Sequence, residues 1–310
     1  MLTAIDAHCH LDHAFGGGWI DRPAAELLAE LDAAGIERLV DLSGGWGVTI
    51  FDRHLHHLAA AAPDRFAVLG GIDLASWPAW GDRFGSTAAA SLEAQLDRGA
   101  AGLKVWKTLG LEATDQHGER VSIDDPRLDP VWRVCHDRGA PVVIHVGDPP
   151  EFFRPLGPDN PRTQELLANP TWHWYERAEV SQVQLIEEFE GLLTRWPDVA
   201  FVGAHLLDTA DRPRELRRLL TSHPNLSVDL GARFPALEPL PTDLVACLCE
   251  HPRQVLYGLD HPPDAEHYRR TIDLVAASVE RGLAILDRRG QRDDVLESIL
   301  RGNALRTFFS

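Results

Sequence analysis

The sequence predicts an α/β fold of the (β/α)8 TIM-barrel type, on three observations. Eight short apolar or β-branched runs recur along the chain, helix-forming stretches separate them, and no linker or low-complexity tract interrupts the alternation. The runs are residues 3–10, 38–43, 66–73, 101–106, 141–147, 200–205, 226–231 and 254–260. Strands that alternate with helices build a parallel sheet, and eight such units close most naturally into a barrel.

The stretches between the strands carry helix punctuation. Asp21 and Pro23 open a run with Leu27, Leu28 and Leu31 on one face, and Gly35 follows as a stop. Asp129-Pro130 opens another helix that closes at Gly139. Ser181 and Gln184 form a capping box ahead of Leu185, Ile186, Phe189, Leu192 and Leu193. One segment breaks the rhythm. Residues 148–180, DPPEFFRPLGPDNPRTQELLANPTWHWYERAEV, exceed an ordinary strand-to-helix connection and are rich in proline and aromatics. This extended loop follows the fifth strand's C-terminal end, so it is expected over the active face as a substrate-shaping lid, the alternative being a purely structural insertion. After Pro262 the chain reads as C-terminal helices. With 310 residues the expectation is one barrel domain spanning 1–310.

Composition narrows the function classes. Hydrophobic residues make up 44% and charged residues 25%, enough for a large core. A net charge of −17 argues against nucleic acid, which selects a basic surface. No apolar run approaches membrane-spanning length and the N-terminus lacks a signal-peptide pattern, so the expectation is a cytoplasmic protein acting on a small molecule. Homo-oligomerisation stays open. The four cysteines, Cys9, Cys135, Cys247 and Cys249, are too sparse for a zinc cage and read as reduced, buried thiols.

The informative residues are histidines. Of the 15, most fall in helices or loops without a convergent partner, His54 among them, while His13 and His173 could border the barrel mouth. His8, His10, His145 and His205 differ, because each ends a predicted strand, as does Asp260. In a closed parallel barrel those ends meet on one face. His8 and His10 are two residues apart, so both side chains leave the strand on one side and Cys9 leaves on the other. The imidazoles, about 7 Å apart along the strand, can turn onto one ion.

With those residues in place the chain resembles a known family. DAHCH on strand one, VVIHVGDP on strand five, FVGAHL on strand six, VDLGAR on strand seven, VLYGLDHP on strand eight and the terminal GNALRTFF are similar to the amidohydrolase-related family, a branch of the metal-dependent hydrolases of the amidohydrolase superfamily. The resemblance spans residues 6–309. It implies that His8, His10, His145 and Asp260 ligate a divalent metal, zinc foremost and manganese as the alternative, as one ion or two. It implies that His205 ligates a second metal or hydrogen-bonds the metal's water. GAAGLKVWKTLG, residues 99–110, resembles the urease stretch whose lysine is carboxylated between two metals, and Lys104 is the matching position. The alternative is a barrel-mouth lysine paired with an acid. Strand alternation sets Lys104 with Trp106 on one face.

The implied mechanism uses water activated by the metal, with Asp260 moving its proton to the leaving group and His205 assisting. No nucleophile elbow is present, and Cys9 is expected to face away from the interior. Trp46, Trp106, Lys107, Arg154, Arg177 and Arg233 are candidates for the rim, where arginine could grip a carboxylate. Asp229 is expected behind His205 or Arg233, and Asp6 and Asp12 in support of the histidines. The leading expectation is hydrolysis of a C–O or C–N bond in a lactone, ester or amide bearing a carboxylate. Against it stands a decarboxylase of carboxymuconate semialdehyde or hydroxybenzoate type, which relatives in this branch include, and a barrel that binds without chemistry.

Overall fold

Eight parallel staves, each followed by a helix, form the computed structural model, which describes residues 2–234 and 238–309. The strands are β1 (Ala4–Cys9), β2 (Ile36–Asp41), β3 (Phe66–Val68, resuming at Gly70–Gly71), β4 (Leu103–Val105), β5 (Val142–Ile144), β6 (Phe201–Gly203), β7 (Leu226–Asp229) and β8 (Val255–Leu256). Their partners are α1 (Ala24–Ala34), α2 (Val48–Ala61), α3 (Phe84–Asp97), α4 (Asp129–Arg138), α5 (Gln182–Arg195), α6 (Pro213–Ser222), α7 (Thr242–Glu250) and α8 (Ala265–Ile285). Every pairing between neighbouring staves is parallel. Closure is visible in the backbone, where Ala7 N donates to Tyr257 O at 2.9 Å and Asp260 N donates to His8 O at 2.8 Å.

Local signals account for the helix ends. Gly35 and Gly139 adopt φ of 77° and 59°, left-handed caps open to glycine. The Ser181–Gln184 capping box is complete at the start of α5. The interior strand residues Ile5, Val40, Ala67, Leu69, Val143, Val202 and Leu256 form one cluster, closed off by Ala304 and Phe308 of the C-terminal helices. Outward residues such as Leu39, Leu103, Val142 and Ile144 join the shell beneath the helices. Two strands depart from strict alternation. The third stave is interrupted at Leu69, and the β1–β2 pairing slips between Asp6 and Cys9. That slip turns Asp6 outward to the Tyr268 hydroxyl (2.7 Å) while His8 and His10 stay on the cavity side and Cys9 packs into the outer shell. Among the described residues, no helix is long and apolar enough to cross a membrane.

Candidate active site

The strand ends deliver their histidines to one cavity of about 430 Å³, with His8, His10, His145, His205 and Asp260 in its lining. Three Nε2 atoms face the Asp260 carboxylate, from His8 at 3.6 Å, His10 at 3.7 Å and His205 at 3.8 Å. These separations are too long for hydrogen bonds. They suit ligands of a common ion, since two atoms about 2.1 Å from a tetrahedral metal stand about 3.4 Å apart.

The hydrogen bonds behind the rings leave those nitrogens free. His8 Nδ1 donates to Asp229 Oδ2 at 2.8 Å, and His205 Nδ1 donates to Gly231 O at 3.0 Å. With the proton held on Nδ1, Nε2 presents its lone pair. Burial, with His8 and Lys104 nearby, lowers His10 to about 3, and burial likewise lowers His205 and His145. Neutral imidazole is the form that binds metal. The donor set therefore fits a divalent ion.

Asp229 is the organiser of this arrangement. Its Oδ1 accepts from the backbone N–H of His205 (3.0 Å) and Gly231 (2.9 Å) while Oδ2 holds the His8 ring. It supports His205, as the sequence suggested, through the backbone N–H, and His8 through the ring, while Arg233, the other suggested partner, meets Asp208. His8, His205 and Asp229 also lie close enough to hold an ion. Because the Asp229 oxygens are already engaged, that trio orients ligands and does not form a second centre.

Backbone strain helps aim the groups. His205, Leu206, Leu207 and Asp208 take φ of 57°, 57°, 57° and 51°, and Asp260 takes 52°. A left-handed turn of non-glycine residues costs about 1–2 kcal/mol per residue. Complete burial of Leu206 and Leu207 offsets this, and the turn brings both His205 and Asp208 onto the cavity.

The remaining predicted residues divide. Lys104 points into the barrel interior, buried beside Val143 in the strand register. Its Nζ has no hydrogen-bond partner and no ion pair among the described residues, which removes the acid-paired alternative, and it lies 4.9 Å from the Trp106 ring centre. Burial lowers this amine to about 8 against the pull of Asp229 and Asp260. His145, implied as a ligand by the resemblance, lines the same cavity. Its ring lies 4.6 Å from that of His205, but its Nε2 faces Asp208 (3.8 Å) and Asp148 (3.9 Å) instead of Asp260. Trp106, Lys107 and Arg233 line the cavity. Lys107 Nζ meets both Asp148 oxygens at 2.7 Å, and Arg233 meets Asp208 at 3.4 Å. Burial raises Asp148 and Asp208 to about 6.

Arg154 does not reach the site. It is exposed, 3.9 Å from Glu151, and Arg162 of the same segment lines the cavity instead. Arg177 lies over Trp174 outside the lining. Exposed His13 pairs with Asp21 at 2.5 Å, and His173 meets the Arg154 carbonyl at 2.9 Å. Asp12 accepts from Ala14 N and Phe15 N, shaping the loop after β1. His54, expected to lack a partner, is buried with its Nδ1 2.5 Å from Asp41. Asp148, Asp208 and Arg162 were not singled out from sequence. The first two stand three residues after strand-end histidines, a spacing that could have found them; Arg162 carries no such signal.

Six aromatic rings complete the walls: Phe15, Trp46, Trp106, Phe152, Trp172 and Trp174. Three of these belong to the 148–180 segment, which is pinned by the Trp174 indole donating to Asp148 at 2.5 Å.

Comparison with known proteins agrees with this architecture. Among solved structures, 2,6-dihydroxybenzoate decarboxylase from Rhizobium is 18% identical with a TM-score of 0.61, covering 100% of this chain and 99% of that one. Dihydroorotase from Campylobacter jejuni is 15% identical at a TM-score of 0.55, covering 99% and 83%. The 5-carboxyvanillate decarboxylase from Novosphingobium aromaticivorans, complexed with manganese, is 19% identical at 0.52, covering 92% and 80%. At such identities the likeness establishes the fold. No curated protein matches the sequence. The family model described as Amidohydrolase matches residues 5–309, almost the entire length, and the chain belongs to the amidohydrolase family.

Proposed function

We propose that the protein is a metal-dependent hydrolase that opens a C–O or C–N bond, in a lactone, ester or amide, of a small carboxylated substrate. The convergence of three free Nε2 atoms on Asp260 carries this reading. His8, His10, His205 and Asp260 would hold a divalent ion, zinc or manganese, with His145 and Lys104 available to a second. When bound, such an ion supplies an acidified water and polarises a carbonyl. Asp260 accepts the water's proton and returns it to the leaving group. A carboxylated Lys104 would favour hydrolysis over decarboxylation, and the buried amine, without a hydrogen-bond partner and lowered by burial, is open to CO2. Segment 148–180 acts as the lid, and Lys107, Arg162 and Arg233 exchange their acidic partners for the substrate's carboxylate.

Decarboxylation of a hydroxybenzoate-type ring is the second reading, favoured by the six aromatic walls. A panel of lactones, esters, amides and hydroxybenzoates, assayed with zinc- and manganese-loaded protein, separates the two. Acid release without CO2 is expected. CO2 from a hydroxybenzoate, with no ester or amide turned over, would replace the first reading by the second. Within the hydrolytic reading, Arg162→Met raises KM for the carboxylated substrate by about tenfold or more, the loss of one charge-assisted bond. Arg154→Met leaves KM within about twofold, because that side chain is outside the cavity.

A further inference from the structure

A second cleft, of about 370 Å³, adjoins the reaction cavity, and Trp46, Trp106, Thr108 and Glu112 line both spaces. Trp46 and Trp106 stack with ring centres 3.8 Å apart. The row continues to Phe15 beyond Trp46 (5.9 Å) and to His10 beyond Trp106 (5.1 Å), and the two shared indoles form the divider between the spaces. Gly45 keeps the divider in place. A Cβ there would lie 2.7 Å from Trp106 Nε1 and 2.5 Å from Lys104 Cγ, and the indole would have to move.

The two spaces differ in their cations. Lys107, Arg162 and Arg233 line the reaction cavity among the acids Glu112, Asp148, Glu165, Asp208 and Asp260, whereas among the described residues no cationic side chain lines the cleft. Its ionisable groups are Asp73 and Glu112, joined by the hydroxyls of Thr108 and Thr114 over an apolar floor that includes Ile72, Leu74 and Pro78. Asp73 precedes a short 3-10 turn without capping it, and Glu112 is 3.8 Å from exposed Arg177. Carboxylates only accept hydrogen bonds, so the cleft selects donors and repels anions.

We infer that this cleft is the subsite for the leaving half of the substrate, and that it takes an apolar group bearing an ammonium or hydroxyl donor and no negative charge. "Leaving half" rests on the hydrolase reading; the binding chemistry does not. A substrate with a carboxylate on its acyl half and a donor on its leaving half then enters in one orientation, since the reverse sets the carboxylate against Asp73 and Glu112 and away from Lys107, Arg162 and Arg233.

The test uses the metal-loaded protein and three probes that share one ring: benzylamine, benzyl glucoside and benzoate, followed by ligand-observed NMR. Benzylamine or benzyl glucoside binds while benzoate is saturating, and the one that binds identifies the donor as ammonium or hydroxyl. The variant Asp73→Asn, at a side chain that lines the cleft and not the reaction cavity, weakens that probe by about tenfold and leaves benzoate within about twofold, which also reports an intact fold. Displacement of both donor probes by benzoate, their failure to bind, or an unchanged affinity in Asp73→Asn would each overturn the inference. If this binding pattern holds and no ester or amide is hydrolysed, the hydrolase reading fails and the subsite stands. Hydrolysis without the pattern leaves the function and removes the subsite.

Discussion

Asp260→Asn lowers kcat by about a thousandfold or more and leaves the fold intact. Its carboxylate stands 3.6 to 3.8 Å from three imidazole nitrogens, so under the proposed mechanism the substitution removes a ligand and the proton carrier together. General acid–base catalysis alone accounts for about 10²–10⁴-fold, and loss of metal adds to it. Asparagine is the informative replacement because Asp260 has φ of 52°, a region that asparagine enters readily and alanine does not. Steady-state rates paired with a thermal melt decide the matter: near wild-type kcat would assign the proton transfer to another group.

Asp229→Asn is expected to have the largest effect on stability. Three N–H donors already point at the Asp229 carboxylate, and an amide NH2 would oppose one of them. Breaking a buried arrangement of this kind costs about 3–5 kcal/mol, and loss of the carboxylate behind a metal-binding histidine weakens metal affinity about 10–100-fold. The pH dependence follows in sign. Burial would raise this carboxyl, but the His8 ring and the His205 N–H outweigh burial and hold it well below the usual 3.8. A depressed carboxyl contributes stability above its unfolded value, and that contribution is lost as pH falls below about 3.8 towards the folded value. Wild-type melts should therefore fall across that acidic window more steeply than those of Asp229→Asn. Parallel pH profiles would mean that Asp229 does not carry this term.

Strand-end chemistry was the most legible part of the sequence. His8 and His10 follow from the period of a strand, and their convergence with His205 and Asp260 follows from barrel closure. Helix ends were readable for the same local reasons, at Gly35, Gly139 and Ser181. What could not be read depends on tertiary geometry. The left-handed turn at 205–208 contains no glycine to announce it, and it helps place His205, not His145, opposite Asp260. The slip in β1 that sends Asp6 to Tyr268 requires knowing how β2 pairs. Arg154 and Arg162 lie in a loop without periodicity, where charge alone does not tell which one reaches the cavity. The Asp41–His54 pair joins a strand end to a helix 13 positions on, and neither residue has a motif to mark it.

Metal content decides whether the histidine cluster is what its geometry implies. Elemental analysis of the purified protein, followed by anomalous diffraction at the metal edge, should give between about one and two equivalents of zinc or manganese. The anomalous peak should fall among His8, His10, His205 and Asp260, and the same maps show whether Lys104 carries a carbamate. Fully active protein free of metal, or a peak remote from these residues, would contradict a metal-dependent hydrolase.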